Sequence, residues 1–301
     1  MNDWIEELRA QPVGDILLDE PLSRHTTWKI GGPADVMIVP GNKQELVTAV
    51  SFMHRHGVPW TTLGRGSNTL VFDSGIRGVV IKLGEAFDFV RIDGDRVTAG
   101  GAFSFIKLSV MCGRAGLTGL EFAGGIPGSV GGAVYMNAGA HGSDVSRILS
   151  SAEVVSENGE IAVWNNEDLQ YAYRHSALQG KRAIVTEATF QLAHGNRREI
   201  AATLAAYKER RNRTQPMTAA CAGSVFRNPP GHHAAKLIEE AGLKGLTIGG
   251  AQISTLHANF IVNNGNATAE DVLALITHIQ QTVEQRTGIR LVPEVLEVGE
   301  R

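Results

Sequence analysis

The sequence predicts an α+β protein with two units, and three observations lead to this fold class. Strand-like and helix-like segments alternate over the first third of the 301 residues, hairpins fill the middle third, and helices return in the last third. The chain is also longer than the ~100–200 residues of a usual domain. We place the boundary at the basic stretch KERRNRTQP, residues 208–216, with a glycine-rich α+β unit before it and a smaller α/β unit after it.

The first third has a βαβ-like pattern. Residues 34–40 (ADVMIVP) have the apolar composition of a strand, and residues 44–57 have the periodicity of an amphipathic helix. Two short apolar segments follow, at residues 60–63 and 78–83, and complete the pattern as strands.

The middle third is expected to form hairpins, because turn residues separate short apolar segments. Asn158-Gly159 is a strong hairpin signal between two of these segments. The strands that we expect here are residues 89–92, 96–99, 151–155, 160–163 and 183–192.

The last third is predicted to be mainly helical. Thr268 precedes Asp271 by three residues, which is the pattern of a capping box at the start of a helix. The other elements that we expect are a helix that ends near Arg213, a helix at residues 234–241, and strands at residues 259–262 and 291–298.

Composition excludes several classes of function. The net charge of −3 gives no basic field for a nucleic acid partner. No apolar run approaches the ~18 residues of a membrane span, so we expect no membrane insertion. The histidines have no metal-ligand spacing, and Cys112 and Cys221 form no CxxC motif. We therefore expect no metal, reduced thiols and a cytoplasmic location.

Two glycine clusters are candidates for binding an anion. The first is Gly64, Arg65, Gly66, Ser67 and Asn68, whose small residues can aim several backbone N–H groups at a phosphate. A tight turn between strands is the alternative for this cluster.

The second cluster, residues 124–139 (GGIPGSVGGAVYMNAG), is longer and more specific. Ser129 is placed to cap a short helix whose N-terminus faces a pyrophosphate, and a packed glycine-rich corner is the alternative. Neither cluster has the GxGxxG or GxxxxGK pattern, so we expect loops of a non-Rossmann fold to hold a dinucleotide. The candidate cofactor-binding residues here are Gly125, Ile126, Pro127, Gly128, Ser129, Gly131 and Gly132.

Three further residues are candidates for chemistry. Ser224 follows a glycine outside any GxSxG or SxxK motif, so it is a proton donor or a turn serine rather than an acyl-transfer nucleophile. Arg174 is able to hold a carboxylate, although a surface arginine is the common alternative. Glu294 shares a predicted strand face with Leu296 and is either an edge charge or a functional acid.

Taken together, the motifs resemble the UDP-N-acetylenolpyruvoylglucosamine reductases, flavoproteins that complete UDP-N-acetylmuramate in peptidoglycan synthesis. The matching segments follow the order of the family from about residue 25 to the C-terminus. They are HTTWKIGGPAD from His25, LGRGSNTLVFDSGIRGVVI from Leu63, GGIPGSVGGAVYMNAGAHG from Gly124, YRHSAL from Tyr173, AGSVFRNPPG from Ala222, LIEEAGLKG from Leu237, STLHANFIVN from Ser254 and PEVLEVG from Pro293.

The resemblance implies an FAD-binding fold of the vanillyl-alcohol-oxidase/p-cresol-methylhydroxylase type with a C-terminal α/β substrate-binding domain. The FAD-binding domain would cover residues 1–207, as two α+β subdomains at about 1–83 and 84–207. The substrate-binding domain would cover residues 208–290, and residues 291–301 would form a strand that returns to the flavin site.

The resemblance also implies the reaction and the residues that act in it. NADPH is the reductant, FAD the cofactor, and UDP-N-acetylglucosamine enolpyruvate the substrate, whose C3 receives the hydride. Arg174 and Glu294 match the residues thought to polarise the enolpyruvyl carboxylate and stabilise the enol, and Ser224 matches the serine that protonates C2. The substrate contacts that we expect are Tyr173, Asn228 and His257.

This chain departs from the family pattern at two points. The longer form of the family carries a tyrosine-bearing loop before the serine motif, whereas about 30 residues separate Leu192 from Ser224 here. The chain therefore resembles the shorter form, which is common in Gram-positive bacteria. Leu296 stands where family members often have an arginine two residues after the glutamate, so one auxiliary anion contact is absent.

Two other functions stay open at this point. A UDP-sugar-binding regulator would keep the fold without the chemistry, and the combined presence of Ser224, Arg174 and Glu294 disfavours it. An FAD oxidase of a small alcohol or lactone would leave the serine motif unexplained, and no histidine or cysteine stands at a convincing covalent-flavin position. NADPH oxidation measured with and without the enolpyruvyl UDP-sugar distinguishes the three functions.

Overall fold

A computed structural model describes residues 3–301 and contains both helices and strands. Within this range the α-helices are α1 (Asp3–Arg9), α2 (Lys43–His56), α3 (Phe105–Ala115), α4 (Val130–Met136), α5 (Arg197–Thr214), α6 (Ala234–Glu240) and α7 (Ala269–Thr287). None of these helices is long and apolar enough to span a bilayer.

The strands of the same range are short, and most of them pair within antiparallel sheets. They are β1 (Asp15–Pro21), β2 (Pro33–Val39), β3 (Trp60–Thr62), β4 (Thr69–Val71), β5 (Ile76–Ile81), β6 (Val90–Asp93), β7 (Arg96–Gly100), β8 (Leu117–Thr118), β9 (Gly139–Ala140), β10 (Ser143–Asp144), β11 (Leu149–Ser156), β12 (Ile161–Asn165), β13 (Ala183–Gln191), β14 (Ala193–His194), β15 (Thr247–Ile248), β16 (Ala251–Ile253), β17 (Ile261–Asn263) and β18 (Leu296–Val298).

The chain forms two compact units, and neither is a single continuous segment. The first unit contains the chain up to Leu18, Val36–Gly64 and Gly78–Glu209, and the second contains Asp19–Asp35, Arg65–Arg77 and Arg210–Arg301. The assignment of FAD binding to residues 1–207 and of substrate binding to residues 208–290 stays a prediction.

The first unit has two separate hydrophobic clusters. One lies on a five-stranded sheet of order β12-β11-β13-β7-β6, where Phe105 of α3 and Val130 of α4 are buried with Phe190 of β13. The other contains the apolar face of α2 against a sheet of order β1-β2-β5-β3, in which β3 and β5 are parallel. The expected helix at residues 44–57 and both expected hairpins are present.

Helix α3 was not expected, because no helix was predicted between the first hairpin and the glycine cluster at residues 124–139. Its ends follow ordinary capping rules: the Ser104 side chain accepts from the N–H of Lys107, and Gly116 ends the helix at a positive φ. Ser109, Cys112 and Gly113 lower the helix propensity of the segment. The helix is stabilised by its packing, since Phe105, Leu108 and Cys112 are buried.

The second unit combines a three-stranded sheet, β15-β16-β17, with α6, α7 and the parallel pair β4 and β18. Its core includes Trp28, whose indole N–H donates to the carbonyl of Ile261 at 2.8 Å. The capping box of Thr268 and Asp271 is formed, as predicted.

Two strand predictions in this unit need correction. The strand expected at residues 291–298 contains only Leu296–Val298, and Pro293, which has no N–H to donate, lies in the segment before it. Glu294 therefore lies before the strand and, contrary to the prediction, shares no strand face with Leu296. The strand expected at residues 259–262 begins at Ile261, because the N–H of Phe260 closes a turn onto the carbonyl of His257.

Candidate active site

The second glycine cluster forms a loop and the start of α4 in the first unit. Ser129 is 5% exposed and caps α4 by accepting from the N–H of Gly132 at 3.3 Å, as its position predicted. Gly131 donates to the carbonyl of Gly101 at 2.9 Å, and a Cβ at Gly131 would lie 3.1 Å from the carbonyl oxygen of Val185. The side of this loop that faces Gly101 and Val185 is therefore closely packed, which is what the alternative interpretation, a packed glycine-rich corner, predicts.

The outer side of the same loop keeps backbone donors. The N–H groups of Gly128 and Ser129 have no hydrogen-bond partner among residues 3–301. Gly64, the first residue of the other glycine cluster, also belongs to the first unit, and a Cβ there would lie 2.9 Å from the Oγ of Ser129. Gly64 and Gly132 are exposed. Two successive backbone N–H groups without a protein partner, next to exposed glycines, are groups that a phosphate can use, so this loop fits a dinucleotide.

The rest of the first cluster belongs to the second unit. Gly66 has a φ of +59° and accepts from the N–H of Thr27 at 3.1 Å, and a side chain there would meet the main chain of His25. Asn68 donates through its side chain to the carbonyl of Glu294 at 3.1 Å, and its own carbonyl accepts from Leu296 at 2.9 Å. The loop is thereby joined to the C-terminal segment that carries a predicted catalytic residue.

Arg174 stands at the tip of a tight turn in the first unit. Ala172 and His175 exchange backbone hydrogen bonds of 3.1 Å, so Tyr173 and Arg174 are the two central residues. Arg174 has a φ of +55°, a conformation that glycine or asparagine usually occupies at the second central position of a type II turn. A left-handed arginine is a strained residue of the kind that clusters at functional sites.

The guanidinium of Arg174 is held by its neighbours. Its Nη2 donates to the carbonyl of Gly139 at 2.7 Å, and its Cζ lies 5.1 Å from the centre of the Tyr173 ring. Gly139 has no room for a side chain, because a Cβ there would lie 2.6 Å from the Cβ of Asp144 across the β9–β10 hairpin. His141 in the same hairpin stacks on Tyr207 of α5, with ring centres 3.7 Å apart.

Ser224 and Glu294 lie on adjacent segments of the second unit. The N–H of Glu294 donates to the carbonyl of Val225 at 2.7 Å, one residue from Ser224. Ser224 is partly exposed, and its hydroxyl makes no hydrogen bond within the part of the chain that the structure describes. Arg227 continues the pairing by donating to the carbonyl of Val292 at 2.9 Å.

Asn259 supports the Ser224 segment and was not singled out from the sequence. It is 4% exposed, and its side chain accepts from the N–H of Phe226 at 2.9 Å and donates to the carbonyl of Phe226 at 2.8 Å. Its own carbonyl accepts from the N–H of Val225 at 2.9 Å. The sequence offered one signal for this role: Asn259 is a polar amide between two apolar residues, Ala258 and Phe260, which is typical of a buried, hydrogen-bonded side chain.

The other predicted substrate contacts have different surroundings. Asn228 is exposed, and its Oδ1 accepts from the N–H of Ala234 at the start of α6. His257 packs edge-on against Phe260, and burial, followed by the nearby charge of Lys244, lowers the pKa of its imidazole. A neutral imidazole at physiological pH follows from both effects.

Comparison with known proteins agrees with this architecture. Residues 34–164 match the family model described as FAD binding domain, and residues 215–298 match that described as UDP-N-acetylenolpyruvoylglucosamine reductase, C-terminal domain. The UDP-N-acetylenolpyruvoylglucosamine reductase of Bacillus licheniformis is 52% identical over 302 residues, which cover 100% of both chains. That of Bacillus subtilis is 49% identical over 300 residues, 99% of each chain.

Solved structures agree as well. The crystal structure of UDP-N-acetylenolpyruvylglucosamine reductase from Thermus caldophilus superposes with a TM-score of 0.82 at 36% identity, over 94% of this chain and 98% of that one. Phl p 4.0202, a glucose dehydrogenase, shares the fold alone, with a TM-score of 0.51 at 15% identity over 65% of this chain and 45% of its own. The fold is the α+β FAD-binding fold of the vanillyl-alcohol-oxidase/p-cresol-methylhydroxylase type, and this chain belongs to the family of UDP-N-acetylenolpyruvoylglucosamine reductases.

Proposed function

We propose that this chain uses FAD and NADPH to reduce UDP-N-acetylglucosamine enolpyruvate to UDP-N-acetylmuramate, a step of peptidoglycan synthesis. The observation that carries the proposal is the 52% identity to a reductase of this name over the whole chain. When bound, FAD supplies a path for hydride from NADPH to C3 of the enolpyruvyl group.

FAD would be held by the two glycine clusters. Gly64 adjoins Ser129, and the N–H groups of Gly128 and Ser129 have no partner among the described residues, so they suit a pyrophosphate. The full set proposed to bind the cofactor is Gly64, Arg65, Gly66, Ser67, Asn68, Gly125, Ile126, Pro127, Gly128, Ser129, Gly131 and Gly132.

Arg174 is proposed to bind the enolpyruvyl carboxylate. Its guanidinium is planar and permanently charged, which suits a carboxylate that gains negative charge as hydride adds at C3. The hydrogen bond to Gly139 and the Tyr173 ring limit its rotation, so little entropy is lost when the substrate binds.

Ser224 is proposed to donate the proton that completes the reduction at C2. A hydroxyl without a hydrogen bond inside the described chain is able to direct its proton to the substrate. Glu294, on the adjacent segment, is proposed to stabilise the enol, and Tyr173, Asn228 and His257 to contact the substrate.

We also propose that the enzyme acts in the cytoplasm. Cys112 and Cys221 are both free thiols, which fits a reducing compartment. Fractionation of the source cells, with this chain found among secreted or periplasmic proteins, would contradict the proposal.

The Ser224→Ala variant tests the chemistry. We expect it to bind FAD and to oxidise NADPH in the first half-reaction, but to reduce the enolpyruvyl substrate ~10²–10⁴-fold more slowly. Ser74→Ala is the matched control, since Ser74 is exposed in the same unit, outside the predicted site. Near-normal turnover by Ser224→Ala would refute its role, and a colourless protein that gains no flavin absorbance on titration with FAD would refute the function.

A further inference from the structure

Asn137 is a buried polar residue to which neither the sequence nor the proposed function gives a role. It ends α4 at a φ of +45° and is 2% exposed. Asparagine tolerates this left-handed conformation better than most residues, so the position admits few side chains. A buried amide must also find partners for both of its ends.

The partners of Asn137 lie on two different segments of the first unit. Its Nδ2 donates to the carbonyl of Ala172 at 2.9 Å, and its Oδ1 accepts from the N–H of Ser146 at 3.0 Å. Ala172 opens the turn that carries Arg174, and Ser146 follows the β9–β10 hairpin. One side chain therefore joins the turn to the hairpin.

The hairpin is also where the Arg174 guanidinium is held. Gly139, two residues after Asn137, accepts from Nη2 of Arg174 at 2.7 Å. Asn137 thus holds the main chain at Ala172, two residues before Arg174. It also holds the hairpin in which Gly139 accepts the hydrogen bond of the Arg174 guanidinium. Displacement of either segment would move the guanidinium or remove its hydrogen bond.

We propose that Asn137 is a positioning residue for Arg174 and keeps its guanidinium in the orientation that binds the substrate carboxylate. This inference rests on the proposed function, in which Arg174 acts on the enolpyruvyl group. The left-handed φ of Arg174 makes such support necessary, because strained residues persist only where their surroundings fix them. Gln179 supports the turn from a second side by donating to the carbonyl of Arg174 at 3.1 Å.

The first test is Asn137→Gly, which keeps the positive φ and removes both hydrogen bonds of the side chain. We expect kcat/KM for the UDP-sugar to fall about 10- to 100-fold, because a displacement of a substrate-binding group by about 1 Å can slow an enzyme about 100-fold. FAD content and NADPH oxidation in the first half-reaction should stay near the values of the unchanged protein. Asn42→Ala is the control, because Asn42 caps α2 on the surface of the same unit, outside the predicted site.

The second test is Asn137→Asp, which keeps the acceptor for Ser146 and replaces the donor to Ala172 with a carboxylate. An ionised carboxylate repels the carbonyl of Ala172, whereas a protonated one donates to it. Burial raises the pKa of a carboxyl above its ordinary value of about 3.9, so activity relative to the unchanged protein should rise as the pH is lowered toward that range. FAD content should stay constant over the same pH range, because a merely structural role would make FAD content and activity recover together.

The outcomes separate the inference from the function on which it rests. If Arg174→Ala reduces the UDP-sugar as fast as the unchanged protein, the proposed role of Arg174 fails. If Arg174→Ala is impaired while Asn137→Gly keeps its kcat/KM, the inference alone is wrong. Loss of the folded, flavin-bound protein in both Asn137 variants, with no recovery at lower pH, would also overturn it, because Asn137 would then support the fold in general.

Discussion

The amide of Asn259 offers a quantitative test of how the Ser224 segment is stabilised. The Asn259→Ala substitution removes the partner of both main-chain groups of Phe226, a residue that is 1% exposed. The backbone hydrogen bond from Val225 to the carbonyl of residue 259 stays possible. The substitution therefore isolates two buried hydrogen bonds made by one side chain.

The expected cost follows from these two groups. A buried donor or acceptor left without a partner costs about 1–3 kcal/mol, so the pair predicts a loss of about 2–6 kcal/mol in the free energy of unfolding. That is a large share of the ~5–15 kcal/mol by which most proteins are stable. Asn259→Asp keeps the acceptor for the N–H of Phe226 but loses the side-chain N–H that donates to the carbonyl of Phe226. Its loss of stability should therefore come mainly from that carbonyl.

Urea denaturation followed by circular dichroism measures the effect. Asn264→Ala is the matched control, because Asn264 is exposed in the same unit and, among residues 3–301, only its backbone N–H takes part in a hydrogen bond. We expect the control to lie within about 0.5 kcal/mol of the unchanged protein. Equal stability of Asn259→Ala and the control would refute the argument that Asn259 holds this segment.

Two further predictions concern ionisable groups. Burial, with a smaller effect of the Glu121 charge, raises the pKa of the Cys112 thiol to about 12. A thiol reagent at pH 8 should therefore modify Cys112 only after denaturation, as measured by mass spectrometry of the labelled peptide. Rapid labelling of the native protein would contradict this prediction. The Asp271 carboxylate accepts from the N–H groups of Thr268 and Gly250 at 3.0 Å each, which lowers its pKa. Because the folded pKa lies below the unfolded value of about 3.9, this stabilisation is present at neutral pH and is lost as the pH falls through the folded pKa. The stability difference between the unchanged protein and Asp271→Asn should therefore shrink below about pH 4, and a constant difference in urea melts would contradict the assignment.

The sequence predicted the features that depend on neighbouring residues. Thr268 and Asp271 form their capping box, and Asn158-Gly159 turns its hairpin, because three or four residues contain all the groups involved. Ser129 caps α4 for the same reason. The glycine clusters were recognised by composition, although the contact of Gly64 with Ser129 was not predicted, since it joins segments far apart in the chain.

The surroundings of the proposed catalytic residues were not predictable in the same way. Phe226 pairs with Asn259, which lies 33 positions away, and no local pattern specifies that partner. The strand predicted at residues 291–298 was wrong over its first part. There the N–H of Glu294 bonds to Val225, and the regular strand β18 begins only at Leu296. The left-handed turn of Arg174 has no sequence signal either, since arginine is unusual at that position.

The discontinuous build of the second unit has a consequence for its synthesis. The indole of Trp28 bonds to Ile261, 233 positions later, and β4 pairs with β18 close to the C-terminus. At about 5–20 residues per second, a ribosome needs roughly 10–50 s to supply these partners. Over that interval β4 is an unpaired strand edge, the kind of surface that neighbouring nascent chains can extend. Every new molecule therefore passes through a period in which this edge is open, and the period ends only after Leu296–Val298 have been synthesised and pair with β4.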